Sequence, residues 1–216
     1  MKALIIAHGG IENIDILKKL YPSYDIVICA DGGAKYAYAC DIIPDYLIGD
    51  FDSIDNKILD FYTLRNVSIE KYPKNKDYTD TELCIYKAID LGCSELCIFA
   101  GIGSRIDHSL GNIGLLHIIK SYGAQGYIIT ENETIYLCND MLSLKGKEGD
   151  IISIIPFFGD AEGVTTEGLL YSLNNDTIKF GYPIGVSNVM VNNECIIKIV
   201  SGEILVIKQN NENNIL

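Results

Sequence analysis

The chain has 216 residues, 48% of them hydrophobic, enough for one large core or two small ones. Lys+Arg 17 against Asp+Glu 29 gives a formal net charge of -12, and no basic run offsets it, so nucleic acid and anionic membranes are excluded as partners. No stretch approaches the ~20 consecutive apolar residues of a membrane span.

The opening "MKALIIAHGG" reads as a first strand (3–7), its apolar run too short for a signal peptide. Further short apolar runs follow at 26–30, 46–49, 67–71, 95–100 and 127–130. Segments with helical spacing lie between them. "IENIDILKKLY" puts Ile11, Ile14, Leu17 and Leu20 or Tyr21 on one stripe, and "TDTELCIYKAIDLG" turns Leu83, Ile85 or Tyr86, Ala88 and Ile89 inward before Gly92. Strand and helix in this alternation predict a doubly wound, mostly parallel α/β sheet. From about residue 133 helical spacing disappears. The runs "TIYLC", "DIISIIPF", "GVTTEGLLYSL", "DTIKFGY", "GVSNVMV", "CIIKIV" and "EILVIK" predict an antiparallel β-sandwich. The expected domains are 1–132 (α/β), 133–208 (β-sandwich) and a frayed, Asn-rich tail at 209–216. The seven cysteines are scattered and read as buried small hydrophobes in a reducing, cytoplasmic setting.

In a doubly wound sheet, ligands bind beyond the carboxyl ends of the strands. Here those ends carry "DGGAK" (31–35), "DFDS" (50–53), "KNKDYTD" (74–80) and "GIGSRIDH" (101–108), which would bring Asp31, Asp50, Asp52, Asp77, Asp80, Arg105 and Asp107 to one rim. On an extended backbone Asp50 and Asp52 would point the same way, and two such anions repel unless a cation or a shared proton sits between them. Each piece also has a structural reading. Ser53 or Asp55 can start a helix, Thr79 with Glu82 fits a capping box, Gly32 and Gly33 can be a turn, and Asp107 can cap the next helix. The joint arrival of all four at strand ends favours a site. Carboxylates suit Mg²⁺, glycine turns suit phosphates, and Lys76 and Arg105 supply positive charge, so the set points to phosphoryl or nucleotidyl chemistry.

"DGGA", "GDFDS", "KDYTDTE" and "GSRIDHSLGN", in this order and before a β-rich half, resemble thiamine pyrophosphokinase; "TTEGLLYSL" (165–173) and "GVSNVM" (185–190) resemble that family's substrate-side segments. The resemblance implies Mg²⁺-dependent transfer of pyrophosphate from ATP to the hydroxyl of thiamine, yielding AMP. It also implies a homodimer whose active site lies at the subunit interface. By motif, Asp50, Asp52, Asp77, Asp80 and Arg105 become the catalytic set, with Asp50, Asp52 and Asp80 as metal ligands. Asp31, Gly32, Gly33, Lys76, Arg105, Asp107, His108 and Asn112 lie along ATP, and Tyr171, Ser187 and Asn188 contact thiamine. Tyr171 stands where several relatives have Trp, and Ser104 where Gly often precedes the Arg. Three rival readings fare worse. A pterin pyrophosphokinase lacks a reason for the β half, and a nucleotide or vitamin sensor lacks a reason for the complete acid set. An aspartyl-phosphate phosphatase would carry its DxD after the first strand, whereas here it follows the third and precedes Ile54.

Overall fold

A computed structural model describes residues 1–210, which fall into two compact units, Met1–Glu131 and the segment from Asn132 onward. From residue 211 the tail expected to fray lies outside the described residues. Among the described residues no helix is long and apolar enough to cross a membrane.

The first unit holds six parallel strands: β1 (Lys2–Ile6), β2 (Ile26–Ala30), β3 (Tyr46–Gly49), β4 (Ser68–Lys71), β5 (Glu95–Phe99) and β6 (Gln125–Ile129). Their order is β6-β5-β1-β2-β3-β4, with Ile5 opposite Ile28 on one side of β1 and opposite Ile98 on the other. Ala3 to Ile6 and Leu96 to Phe99 are fully buried, as continuous apolar runs must be when both sheet faces are covered. The chain winds outward from β1 to β4 and then returns to β5 on the other flank of β1. The topological switch point therefore lies between β1 and β5.

Five helices connect these strands: α1 (Asp15–Leu20), α2 (Ala34–Ala39), α3 (Asn56–Thr63), α4 (Asp80–Asp90) and α5 (Ile106–Ser121). α1 starts four residues later than its apolar stripe suggests; just ahead of it Asn13 Oδ1 accepts from the Asp15 N–H (3.1 Å). α4 is rotated from the expected face. Thr81, Cys84, Ile85 and Ala88 are buried, and these mostly small side chains let the helix lie close on β2, while Leu83 and Ile89 are only half-buried. The local starts follow capping chemistry: Asp55 accepts from the Lys57 N–H (2.9 Å) ahead of α3, and Thr79 accepts from the Glu82 N–H (3.2 Å) ahead of α4. The capping reading of Asp107 does not hold; it lies in the first turn of α5, whose N-cap position is Arg105.

In the second unit all pairings are antiparallel. β7 (Glu133–Cys138), β9 (Ile151–Pro156), β12 (Asn188–Val189) and β14 (Ile204–Gln209) form one sheet in the order β12-β9-β14-β7. β8 (Met141–Lys145), β10 (Ala161–Glu167), β11 (Asp176–Ile178) and β13 (Glu194–Lys198) form the other, in the order β11-β10-β13-β8. Alternation works as in half-exposed strands: Ile152 and Ile154 of β9 face the core with Val164, Ile178, Ile197 and Val206. β8 had no counterpart among the expected strands; it is an edge strand in which Leu144 alone is buried, so its apolar signal is thin. "GVTTEGLLYSL" stays a strand only to Glu167. Gly168 then turns with φ +76°, where a β-carbon would strike the Glu194 carbonyl.

Candidate active site

A cleft of about 510 Å³ opens at the carboxyl ends of β1 to β5, across the switch point. The first strand contributes His8, Gly9 and Gly10. A β-carbon on Gly9 would run into the carbonyls of Ala100 and Ile102, so only glycine lets the β1 and β5 loops touch. Three strand ends turn on non-glycine residues with left-handed backbone: Asp31 after β2 (φ 41°), Phe51 after β3 (φ 67°) and Ala100 after β5 (φ 56°). Such residues cost ~1–3 kcal/mol each and persist where surrounding contacts hold them. Here Asp31 Oδ1 accepts from the Phe51 N–H (3.1 Å), tying two of these turns together.

The turn at Phe51 corrects the expectation for the paired acids. Backbone extension stops at Gly49, Phe51 tucks inward (8% exposed), and the Asp52 N–H donates to Asp50 Oδ1 (3.0 Å). Both carboxylates line the cleft, but through this turn and not through strand alternation.

The β4–α4 loop supplies the cations. Lys74 Nζ lies 2.9 Å from Asp52 Oδ2, and Lys76 Nζ 2.7 Å from Asp80 Oδ1. The two pairs differ in setting. The Lys76 and Asp80 side chains are 11% and 25% exposed, those of Lys74 and Asp52 75% and 60%. Burial raises the Asp80 carboxyl above its usual range; Lys76 pulls back part of that rise, and the charges of Asp31 and Asp50 add to it. Asp52 is held below the usual range by its hydrogen bond and charge contact with Lys74.

On the β5 side Arg105 grips Asp107 with two contacts (2.7 and 3.3 Å), which holds the Asp107 carboxyl low. Ser109 accepts from the Gly103 N–H (3.1 Å), and Asn112 Nδ2 donates to the Gly101 carbonyl (2.7 Å), pinning the glycine loop to α5.

The cleft thus gathers Asp31, Asp50, Asp52, Asp80, Lys76, Arg105, His108 and Asn112 of the expected residues. Gly32, Gly33, Asp77 and Asp107 do not line it. Gly32 and Gly33 are buried, and β-carbons there would collide with the His8 ring and the Ile6 carbonyl, so glycine permits the close packing of this turn against the end of β1. Asp77 is exposed in the loop, and Asp107 is spent on Arg105. Asp50, Asp52 and Asp80, the expected metal ligands, all line the cleft. Among the described residues no three His, Cys, Asp or Glu side chains gather as a metal cage, and two of these acids answer to lysines. The donors remain hard oxygens along one wall, which fits Mg²⁺ held by one or two carboxylates with phosphate and water completing the shell.

Sequence reasoning missed His8, Gly9 and Gly10, Lys74 and Tyr78. The strand-end rule applied to β1 points to the first three, and Lys74 stands two residues before Lys76 in the same loop. In the second unit Tyr171 is 68% exposed and Ser187, also exposed, has a left-handed backbone (φ 59°). Asn188 is buried (5% exposed). Its Oδ1 accepts from the N–H groups of Tyr171 (3.0 Å) and Val189 (2.9 Å), and its Nδ2 donates to the Tyr171 carbonyl (2.7 Å). Its amide is occupied in holding Tyr171.

Two family models match this chain: "Thiamin pyrophosphokinase, catalytic domain" over residues 17–128 and "Thiamin pyrophosphokinase, vitamin B1 binding domain" over residues 139–205. The thiamine pyrophosphokinase of Bacillus subtilis is 28% identical over 211 residues, spanning 96% of this chain and 99% of its own. Thiamine pyrophosphokinase 3 of Oryza sativa subsp. japonica is 26% identical over 222 residues, spanning 87% and 79%. The crystal structure of the Bacillus subtilis enzyme superposes with a TM-score of 0.86 at 25% identity, covering 98% of this chain and 100% of that one. Thiamin pyrophosphokinase from Candida albicans shares the fold, with a TM-score of 0.83 at 20% identity over 97% and 89% of the two chains. The chain belongs to the thiamin pyrophosphokinase family.

Proposed function

We propose that this enzyme transfers the pyrophosphoryl group of ATP to the hydroxyl of thiamine, giving thiamine diphosphate and AMP, and that it works in the cytoplasm as a Mg²⁺-dependent homodimer. The observation that carries this reading is the meeting of Asp31, Asp50, Asp52 and Asp80 with Lys74, Lys76 and Arg105 along one cleft in a member of this family.

The reaction moves charge onto phosphoryl oxygens while an alcohol attacks in line, so positioning and electrostatic stabilisation supply most of the catalysis. Mg²⁺, when bound, would neutralise phosphate charge, with Asp50, Asp52 and Asp80 as the residues able to hold it. Lys76 and Arg105 lie on opposite loops of the cleft and would take up phosphate oxygens, Arg105 through its planar fork. Each is now paired with a carboxylate, so anion binding exchanges one partner for another without desolvating a bare cation. One carboxylate of the wall would accept the hydroxyl proton. His108 and Asn112 flank the nucleotide side, Asn112 by fixing the Gly101 loop. Tyr171 would offer an aromatic face to the cationic thiazolium, with Ser187 beside it and Asn188 acting through the Tyr171 backbone. In the homodimer, the proposed catalytic site takes its acids from one subunit and its vitamin contacts from the other.

The test is to incubate the protein with ATP, Mg²⁺ and thiamine and separate the nucleotides. AMP with thiamine diphosphate is expected. ADP with thiamine monophosphate makes the protein a simple kinase and removes the pyrophosphoryl claim; AMP formed only with a hydroxymethylpterin moves the acceptor. Sedimentation of the active species reads the dimer.

A further inference from the structure

Tyr78 is an aromatic side chain in a place that folding alone does not call for. It immediately precedes the α4 N-cap, Thr79, where an apolar residue ordinarily folds back onto the fourth helical residue, here Leu83, and is covered by it. Tyr78 is instead 50% exposed and lines the cleft among Lys76, Asp80, Lys74 and Asp52. Its ring meets Tyr86 edge-on (centroids 5.8 Å apart, 88° between planes). Tyr86 is itself fixed, donating its hydroxyl proton to Glu82 Oε1 (2.9 Å) and meeting Tyr122 at 6.0 Å. The Tyr78 hydroxyl has no hydrogen-bond partner among the described residues. An aromatic ring held by its neighbour in a steep tilt, half open, on a wall rich in charged side chains, is a surface for a flat partner.

We propose that Tyr78 is a substrate-binding residue that stacks on a planar heteroaromatic ring entering the cleft. The inference rests on the reaction proposed above, in which both substrates carry such a ring: the purine of ATP and the pyrimidine and thiazolium of thiamine. The shared chemistry is a flat, nitrogen-containing ring adjoining a phosphate or hydroxyl that the neighbouring lysines and acids handle.

The chain contains no tryptophan, so Tyr78→Trp installs a single fluorescent reporter at this point and keeps the aromatic face. Titration with ATP alone and with thiamine alone, neither of which can react by itself, is expected to give saturable quenching by one of them and so to identify the ring. Quenching by neither overturns the proposal. Steady-state kinetics give the second arm. Tyr78→Ala is expected to raise KM for that same substrate about 2- to 12-fold, with kcat and the other KM within twofold, and Tyr78→Phe to restore it. A rise in both KM values together with a lower Tm, or no change in either, leaves Tyr78 a packing residue and overturns the assignment. If wild-type protein forms no AMP from ATP and thiamine, the proposed reaction fails; if it does and the indole signal of Tyr78→Trp and both KM values of Tyr78→Ala stay flat, only the stacking role fails.

Discussion

The two units place their polar side chains to opposite ends. In the first, the residues that stand out in sequence lie in loops beyond parallel strands and remain open or half-open along a cleft. In the second, Asn188, Thr166, Asp150 and Lys208 are buried and bond to backbone: Asn188 to Tyr171, Thr166 to the Leu173 N–H (2.8 Å), Asp150 to the Lys147 N–H (3.1 Å), Lys208 to the Lys145 carbonyl (2.8 Å). Parallel strands send all their carboxyl ends to one rim, so chemistry collects there. Antiparallel hairpins divide their ends between two edges, and buried polar groups serve the irregular segments between short strands.

The sharpest way to break this contrast is to remove one acid from the cleft. Asp80→Asn should lower kcat by ~10²–10³ with the fold intact, since the amide oxygen still accepts from Lys76. Its pH behaviour has a definite sign. The folded-state pKa of Asp80 lies above its ordinary 3.8, so its contribution to stability is complete below that value and is lost as pH rises through the folded value. Melts of wild type and Asp80→Asn between pH 4 and 7 should therefore show the variant gaining relative to wild type toward neutrality. A variant that loses ground with rising pH would contradict the burial assigned to this carboxyl.

The counterpart in the second unit is Lys208. Its side chain is 9% exposed and its Nζ lies 3.6 Å from Asp150 Oδ2, itself 2% exposed. Lys208→Ala should destabilise the protein by about 3 kcal/mol, because Asp150 loses its buried cation. The expected readout is a clearly lower Tm with KM values unchanged in the protein that remains folded.

Asn188 and Tyr171 test whether the second unit only supports or also binds. Tyr171→Ala should raise KM for thiamine about 2- to 30-fold and leave KM for ATP unchanged, at wild-type Tm. Asn188→Ala should show the same thiamine effect plus a lower Tm, since three hydrogen bonds go and two N–H groups lose their acceptor. If Asn188→Ala lowers Tm while sparing thiamine KM, Asn188 braces a segment that binds nothing.

How far the sequence reveals all this follows the same division. β1 to β6 are legible because each is a compact apolar run with a helical or loop segment between, and Thr79 and Asp55 announce their helices. The cleft acids are legible because strand ends are. What the sequence hides is the path beyond those ends. A left-handed Phe51 makes the Asp50–Asp52 arrangement unlike a strand, and collisions at Gly32 and Gly33 show a packing need where the sequence suggests a phosphate turn. β8 escapes notice because an edge strand buries a single side chain, and Asn188 because an amide looks the same in sequence whether it faces a ligand or a backbone.

The smallest expected effect concerns Lys74 and Asp52, and it draws the line between the two kinds of ion pair. This pair is open to water, with side chains 75% and 60% exposed, so solvent screens it and holding two flexible chains together offsets what attraction is left. The depressed Asp52 pKa means that whatever the pair contributes is present above the ordinary value and fades as pH falls through the folded one. Lys74→Gln should accordingly leave Tm at neutral pH unchanged within error and at any ionic strength, unlike Lys208→Ala. It should still be visible locally: the Asp52 carboxyl, followed by NMR titration, should move back up toward its ordinary range. A Tm fall approaching that of Lys208→Ala would mean that the cleft wall shares the structural duty seen in the second unit. The separation of binding wall from framework would then fail at this loop.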